Sequence, residues 1–337
     1  MTALKIAVFG DRFMKPEIFS EALRRLDADL AITAHELPWP DEPMVHAYGL
    51  RECVGDPEAL APLLAEAEIL VNHVAPVTAA MLDRAPYLKL IAVSRGGPVN
   101  IDVGAAAERG VKVVNAPGRN ATAVAEFTIG VILAQTRLIT AGHDALRRGE
   151  WRGDLYRADM TGEELCDMTV GLIGYGHVGS KIPPLLRPFG CRILVCDPYV
   201  DIPPADGVEQ VDIETLYHSS DIVSCHQRVT AETTGMHDAA AFARMKPGAY
   251  FINTARGPLV DYRALHDALA SGRLRGAALE CFDREPPDAA SPLLRLGNVT
   301  LTPHIAGASL RTVRRAADMV AEEVRRYLAG EPALNPA

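Results

Sequence analysis

The chain has 337 residues, 48% hydrophobic and 23% charged, with a mean hydropathy of +0.06, which leaves room for two domains and excludes a disordered or fibrous protein. Its formal charge of −9 and pI near 5.6 argue against a nucleic-acid or anionic-membrane partner, while leaving room for a local basic site that takes a small anion. No signal-peptide pattern precedes the first strand, and the most apolar run, residues 127–134, is too short to span a bilayer, so a cytoplasmic location is expected.

Residues 5–10 read as a buried strand and residues 16–26 as a helix. The alternation continues with a strand over 30–34, a helix over 57–66 capped by Asp56 with Pro57 in its first turn, and a strand over 69–71. A short helix capped by Thr78, a strand over 88–94, a helix from Asp102 to Gly110 and a strand over 111–115 complete the set. Strands alternating with helices predict a parallel sheet wound on both faces. Asn115-Ala-Pro-Gly-Arg-Asn120 is punctuation and marks a domain crossing. The apolar helix expected over about 121–141 is broad enough to pack on a second subunit, which predicts a homodimer; a polar loop then runs to residue 167.

Residues 169–199 hold the most informative stretch: an apolar strand, Gly174-Tyr175-Gly176-His177-Val178-Gly179 opening a helix, and a second strand ending at Asp197. Gly174 suits the tight turn, Gly176 lets backbone approach a pyrophosphate, and Gly179 lets helix and strand pack closely. The carboxylate roughly twenty residues on suits adenosine ribose hydroxyls and repels a 2′-phosphate, so NAD is favoured over NADP. Pro183 and Pro184 fall where the phosphate-binding helix continues and predict a kink. Further helices are expected from the Asp212 cap, over 239–245, 261–271 and 309–330, with strands over 221–225 and 249–253 and near Ala277 and Val299.

The six cysteines are scattered without a C-x-x-C, and Cys191 and Cys196 face opposite sides of a strand, so no metal site is expected. Arg256, Glu285 and His304 each follow a strand closely, at the end where open α/β sheets bind ligands.

With these three residues in view, the chain from about 88 to 335 resembles the D-isomer-specific 2-hydroxyacid dehydrogenase family. The likeness rests on Val113-Val-Asn-Ala-Pro-Gly, Val124-Ala-Glu, the glycine motif, Met245-Lys-Pro-Gly, Ile252-Asn-Thr-Ala-Arg-Gly, Glu285-Pro and Thr302-Pro-His-Ile-Ala-Gly. The resemblance implies a flavodoxin-like substrate domain, residues 1–118 plus 308–337, and a Rossmann NAD-binding domain, residues 119–307, both doubly wound parallel α/β sheets. It implies catalytic Arg256, Glu285 and His304 acting on a small anionic 2-hydroxy or 2-keto acid with NAD. Cofactor contacts are implied at the glycine motif from Gly174 to Gly179, and at Asp197, Pro198, Thr254, Ala255, Glu280 and Gly307. Substrate contacts are implied at Asn72, His73, Arg95, Gly96 and Gly97 as well as Arg256 and His304.

Hydride delivery to a keto carbon leaves an alkoxide that needs a proton, which an imidazole supplies; a paired carboxylate orients the ring, and a guanidinium fork holds the substrate carboxylate. Arg95-Gly96-Gly97-Pro98 stands where the family usually has Gly-Val-Gly, so Arg95 offers a cation for a second acidic group. Asn72-His73-Val74-Ala75 lacks the basic residues of phosphoglycerate enzymes, Glu280 replaces an aspartate near the nicotinamide, and Arg228 replaces a proline. The rival readings are an NAD-binding corepressor or sensor without turnover, and an enzyme for the oxidation of a small oxyanion of the formate or phosphite type.

Overall fold

A computed structural model describes residues 3–42, 44–203 and 207–337. The chain divides into two compact units, Met1–Asn120 with Ala308–Ala337, and Ala121–Gly307. The first unit contains strands β1 (Leu4–Asp11) and β2 (Leu30–Leu37), a hairpin of β3 (Val45–Ala47) and β4 (Leu50–Cys53), then β5 (Ile69–Asn72), β6 (Leu90–Val93) and β7 (Lys112–Val114). Apart from the hairpin they pair in parallel in the order β2-β1-β5-β6-β7, the winding of flavodoxin-like sheets.

The near-continuous apolar runs of these strands follow from burial on both faces. Alternate residues enter opposite cores: Ala7 and Phe9 join Leu70 and Ile91 on one side, while Ile6 and Val8 join Ile69 and Leu90 on the other. The second core is closed by helix Leu310–Leu328, whose stripe of Val313, Ala316, Val320 and Val324 packs with Phe19 and Leu23 of helix Pro16–Arg24.

The second unit has seven parallel strands: β8 (Thr169–Ile173), β9 (Arg192–Cys196), β10 (Glu209–Gln210), β11 (Ile222–Cys225), β12 (Ala249–Asn253), β13 (Leu274–Leu279) and β14 (Val299–Leu301). Their order, β10-β9-β8-β11-β12-β13-β14, is the Rossmann winding extended by one strand. Helix Ala121–Thr136 lies on one face, with Ala125, Val131 and Ile132 in the core. Polar pegs fix it: the Thr128 and Thr254 hydroxyls meet at 2.8 Å, and Gln135 bonds Thr300 and the Asn298 carbonyl.

Five elements differ from the sequence expectations, one of them the two-residue strand β10, which no apolar run announces. The helix expected over 57–66 is α only from Pro57 to Leu60 and 3-10 over Ala61–Leu64, because Pro62 brings no N–H to the ladder. The hairpin was not predicted; its turn places both Tyr48 and Gly49 at positive φ, and tyrosine there gives no sequence signal. The single helix over 121–141 is two, Ala121–Thr136 and Ile139–Arg147, bent by 68° at Leu138, which takes φ 57°. In place of one kinked helix after the glycine turn, a 3-10 turn (Gly179–Lys181), an α segment (Ile182–Leu186) and another 3-10 turn (Arg187–Phe189) follow one another. Pro183 and Pro184 occupy the first turn of that α segment, where an N–H has no helical partner to lose. Among the described residues no single helix is long and apolar enough to cross a membrane.

Candidate active site

The glycine turn leaves β8 at Gly174, whose φ is 94° and whose N–H donates to the Cys196 carbonyl at 2.9 Å. A Cβ on Gly174 would meet Gln227 N at 2.7 Å, and one on Gly179 would meet the Gly174 carbonyl oxygen at 2.1 Å, so neither position admits a side chain. Gly176 has nothing within 4 Å of the corresponding position and is exposed. That combination, two glycines demanded by packing and one opening onto free space, fits the approach of a pyrophosphate to the turn. His177 and Pro198 are exposed, and Val178 and Gly307 half-buried. Asp197, just past β9, accepts the Tyr175 N–H on Oδ2 at 2.7 Å and the Tyr199 N–H on Oδ1 at 2.9 Å, tying the turn to the second strand. Each oxygen keeps a second lone pair for a ribose hydroxyl.

Three strand exits hold the residues expected to carry the chemistry. After β12 the Asn253 side chain templates the turn, accepting the Ala255 N–H at 3.1 Å and donating to the Arg256 carbonyl at 3.0 Å. Gly257 lies so close to the neighbouring exit that a Cβ would meet the Phe282 carbonyl oxygen at 1.8 Å. Arg256 is exposed, and its Nη1 donates to the Ala255 carbonyl at 2.7 Å.

After β13 come Glu280, Cys281 and Glu285, and after β14 comes His304. Glu285 accepts the Phe282 N–H on Oε1 at 3.0 Å and pairs through Oε2 with His304 Nδ1 at 2.7 Å. His304 sits at φ 54°, a left-handed conformation that a non-glycine residue holds only where its surroundings enforce it. The enforcement is visible: the His304 N–H donates to the Glu280 carbonyl at 3.0 Å, and the buried Glu280 carboxylate accepts the Ala306 N–H and the Thr302 hydroxyl. Burial disfavours the imidazolium, but hydrogen bonds to Cys281 and Glu285 more than offset it and raise the His304 pKa to about 10.

The resemblance gave Glu280 to the cofactor; both of its carboxylate oxygens engage the loop that carries His304. Cys281 had no assigned role, yet its sulfur lies beside His304 and Glu285, the three ligand atoms all within 4.8 Å of one another. Spacing along the chain showed no such group because its members come from two strand exits. The one available signal was the four-residue step from Cys281 to Glu285.

In the first unit, Asn72 is fully buried and bonds Ala75 through both its amide oxygen and nitrogen, shaping the turn after β5. His73, also buried, pairs through Nδ1 with Asp11 and through Nε2 with Arg119; burial lowers its pKa to about 4 and keeps it neutral. Both side chains therefore have structural partners rather than an open face. Arg95 binds the Glu52 carboxylate and carbonyl, with Glu52 held at φ 52°. Gly96 and Gly97 have open space at their Cβ positions.

A doubly wound sheet with a glycine turn at its switch point, and an arginine and a carboxylate–imidazole pair at neighbouring strand exits, defines the class of dinucleotide-binding oxidoreductase folds. The D-isomer specific 2-hydroxyacid dehydrogenase family, by its NAD binding domain, matches residues 129–306, and the chain belongs to that family. It is 40% identical over 267 residues to a glyoxylate reductase of Thermofilum pendens, covering 77% of this chain and 78% of that one. It is 39% identical over 279 residues to a D-3-phosphoglycerate dehydrogenase of Mycobacterium tuberculosis, covering 82% of this chain but 52% of that one. The chain thus spans about half the length of the phosphoglycerate dehydrogenases it matches. Among solved structures it resembles D-2-hydroxyisocaproate dehydrogenase with a TM-score of 0.85 and 25% identity over 99% of both chains.

Proposed function

We propose that this protein is an NAD-dependent oxidoreductase that interconverts a small anionic 2-hydroxy acid and its 2-keto acid. The observation that carries the reading is the His304–Glu285 pair, a 2.7 Å contact at a strand exit of a dinucleotide-binding sheet, which together with a hydrogen bond to Cys281 raises the pKa of the imidazole. The glycine turn from Gly174 to Gly179, Asp197, Pro198, Thr254, Ala255 and Gly307 would hold the coenzyme, and bound NADH supplies the hydride. Arg256 grips the substrate carboxylate with its planar fork and polarises the adjacent carbonyl. Protonated His304 gives the proton on Nε2 to the alkoxide, while Glu285 at Nδ1 fixes the ring and stabilises its charge. Arg95, Gly96 and Gly97 are proposed as further contacts to the acid. Asp197 favours NAD over NADP.

The experiment is a panel of glyoxylate, hydroxypyruvate and related keto acids assayed with NADH and NADPH side by side. Consumption of NADH with at least one acid is expected, and no turnover with any would replace this reading with that of a coenzyme sensor.

A homodimer is part of the proposal. The helix Ala121–Thr136 spends its buried face on its own sheet, and the apolar side chains left over lie beyond it: Ile139 is 57%, Leu146 53%, Trp151 85% and Tyr156 95% exposed. A second copy of the chain covering them is the expected state in light scattering behind size exclusion, and a monomer would refute it.

A further inference from the structure

We propose that Cys281, Glu285 and His304 also form a binding site for a thiophilic divalent cation, Zn2+ in the first instance, which silences the imidazole–carboxylate pair while it is filled. Among the described residues this is the only group of three His, Cys, Asp or Glu side chains whose ligand atoms converge. The convergence is built in. Cys281 and Glu285 follow β13 and His304 follows β14, and the two strands pair in parallel through Ala277, Ala278 and Leu279, so a sheet sets the spacing. Supporting contacts already hold the ligands: the Tyr262 hydroxyl donates to the Cys281 carbonyl, and Glu280 clamps the His304 loop.

One thiolate, one imidazole and one carboxylate are a donor set that Zn2+ takes tetrahedrally. Bond lengths of about 2.3 Å to sulfur and about 2.0 Å to nitrogen and oxygen place neighbouring ligand atoms roughly 3.5 Å apart. Atoms already within 4.8 Å reach that by side-chain rotation. The Cys281 sulfur has a 3.4 Å contact to the Ala255 carbonyl besides its hydrogen bond with His304, and the thiol gives its proton to solvent as the metal bonds to sulfur. Glu285 and His304 side chains are each 38% exposed, which gives the ion an entry path and water the fourth position. A bound cation takes the place of the proton that Nδ1 shares with Glu285 and removes the carboxylate's support from the ring. The site is therefore inhibitory rather than catalytic.

Binding needs no turnover, so the titration stands whatever the substrate panel shows, while the inhibitory action rests on the proposed activity. The purified full chain is titrated with ZnCl2 by calorimetry and with CoCl2 by absorption. One ion per chain is expected, with a sulfur-to-cobalt charge-transfer band, and Cys281→Ser and Cys281→Val should each lose the band and bind Zn2+ at least about tenfold more weakly. Two substitutions of different polarity guard against a folding defect at this buried position. No charge-transfer band in the wild type, or a band that survives both substitutions, would overturn the site. Undiminished NADH turnover in the metal-loaded protein would overturn its inhibitory action.

Discussion

At the scale of single residues, the decisive contact is between Glu285 and His304, and its sign can be worked out. In the proposed reaction, reduction of a keto acid needs the imidazolium, which a pKa of about 10 keeps available through neutral and mildly alkaline pH. Glu285→Gln removes one of the two partners that raise it, so the alkaline limb of the reduction profile should move to lower pH, read from kcat/KM between pH 6 and 10. His304→Gln should lower kcat by about 10²-fold or more with the fold intact by circular dichroism. Glu280 separates two roles cleanly. If it positions the His304 loop, Glu280→Asp lowers kcat about tenfold and leaves the KM for NADH in place; a cofactor contact would raise that KM instead. The strand-exit positions of Arg256, Glu285 and His304 were readable because each follows its strand within a few residues in sequence. Cys281 and the Asp11–His73 pair were not, since only the pairing of distant strands brings them to their partners.

At the scale of elements, alternation of apolar runs with capped helices located every strand of the first unit's parallel sheet and all but β10 of the second, because a sheet covered on both faces writes itself as unbroken hydrophobic segments. Asp56, Thr78, Asp102 and Asp212 all accept the backbone N–H bonds expected of N-caps. Boundaries failed where backbone geometry is decided by packing rather than propensity. Leu138 takes a left-handed conformation that its side chain does not favour, and nothing in the neighbouring Arg137 or Ile139 announces it. The glycine turn makes a sharper test of local necessity. Gly176→Ala faces open space and should fold normally while losing NADH affinity; Gly179→Ala would drive a methyl into the Gly174 carbonyl and should cost stability before binding is reached. Thermal unfolding and fluorescence titration with NADH, run on both variants, distinguish the two outcomes.

At the scale of the whole molecule, the two units have separate cores, and ligand binding should reveal them as separate melting bodies. Calorimetry is expected to show two transitions, of which NADH raises only the one belonging to Ala121–Gly307, by mass action; a single transition shifted as a whole would contradict this. The punctuation near residue 120 lies where the first compact unit gives way to the second, whereas the return of helix Leu310–Leu328 to the first unit was expected only through the family resemblance. That return has a consequence for biosynthesis. Because Leu310–Leu328 closes the core face formed by Phe19 and Leu23, that core stays unfinished until the ribosome has delivered the residues that lie between them, and the inserted unit can complete itself first. During that interval the nascent first sheet has a bare greasy side, so chaperone engagement should concentrate on residues 1–120 and end when Leu310–Leu328 emerges.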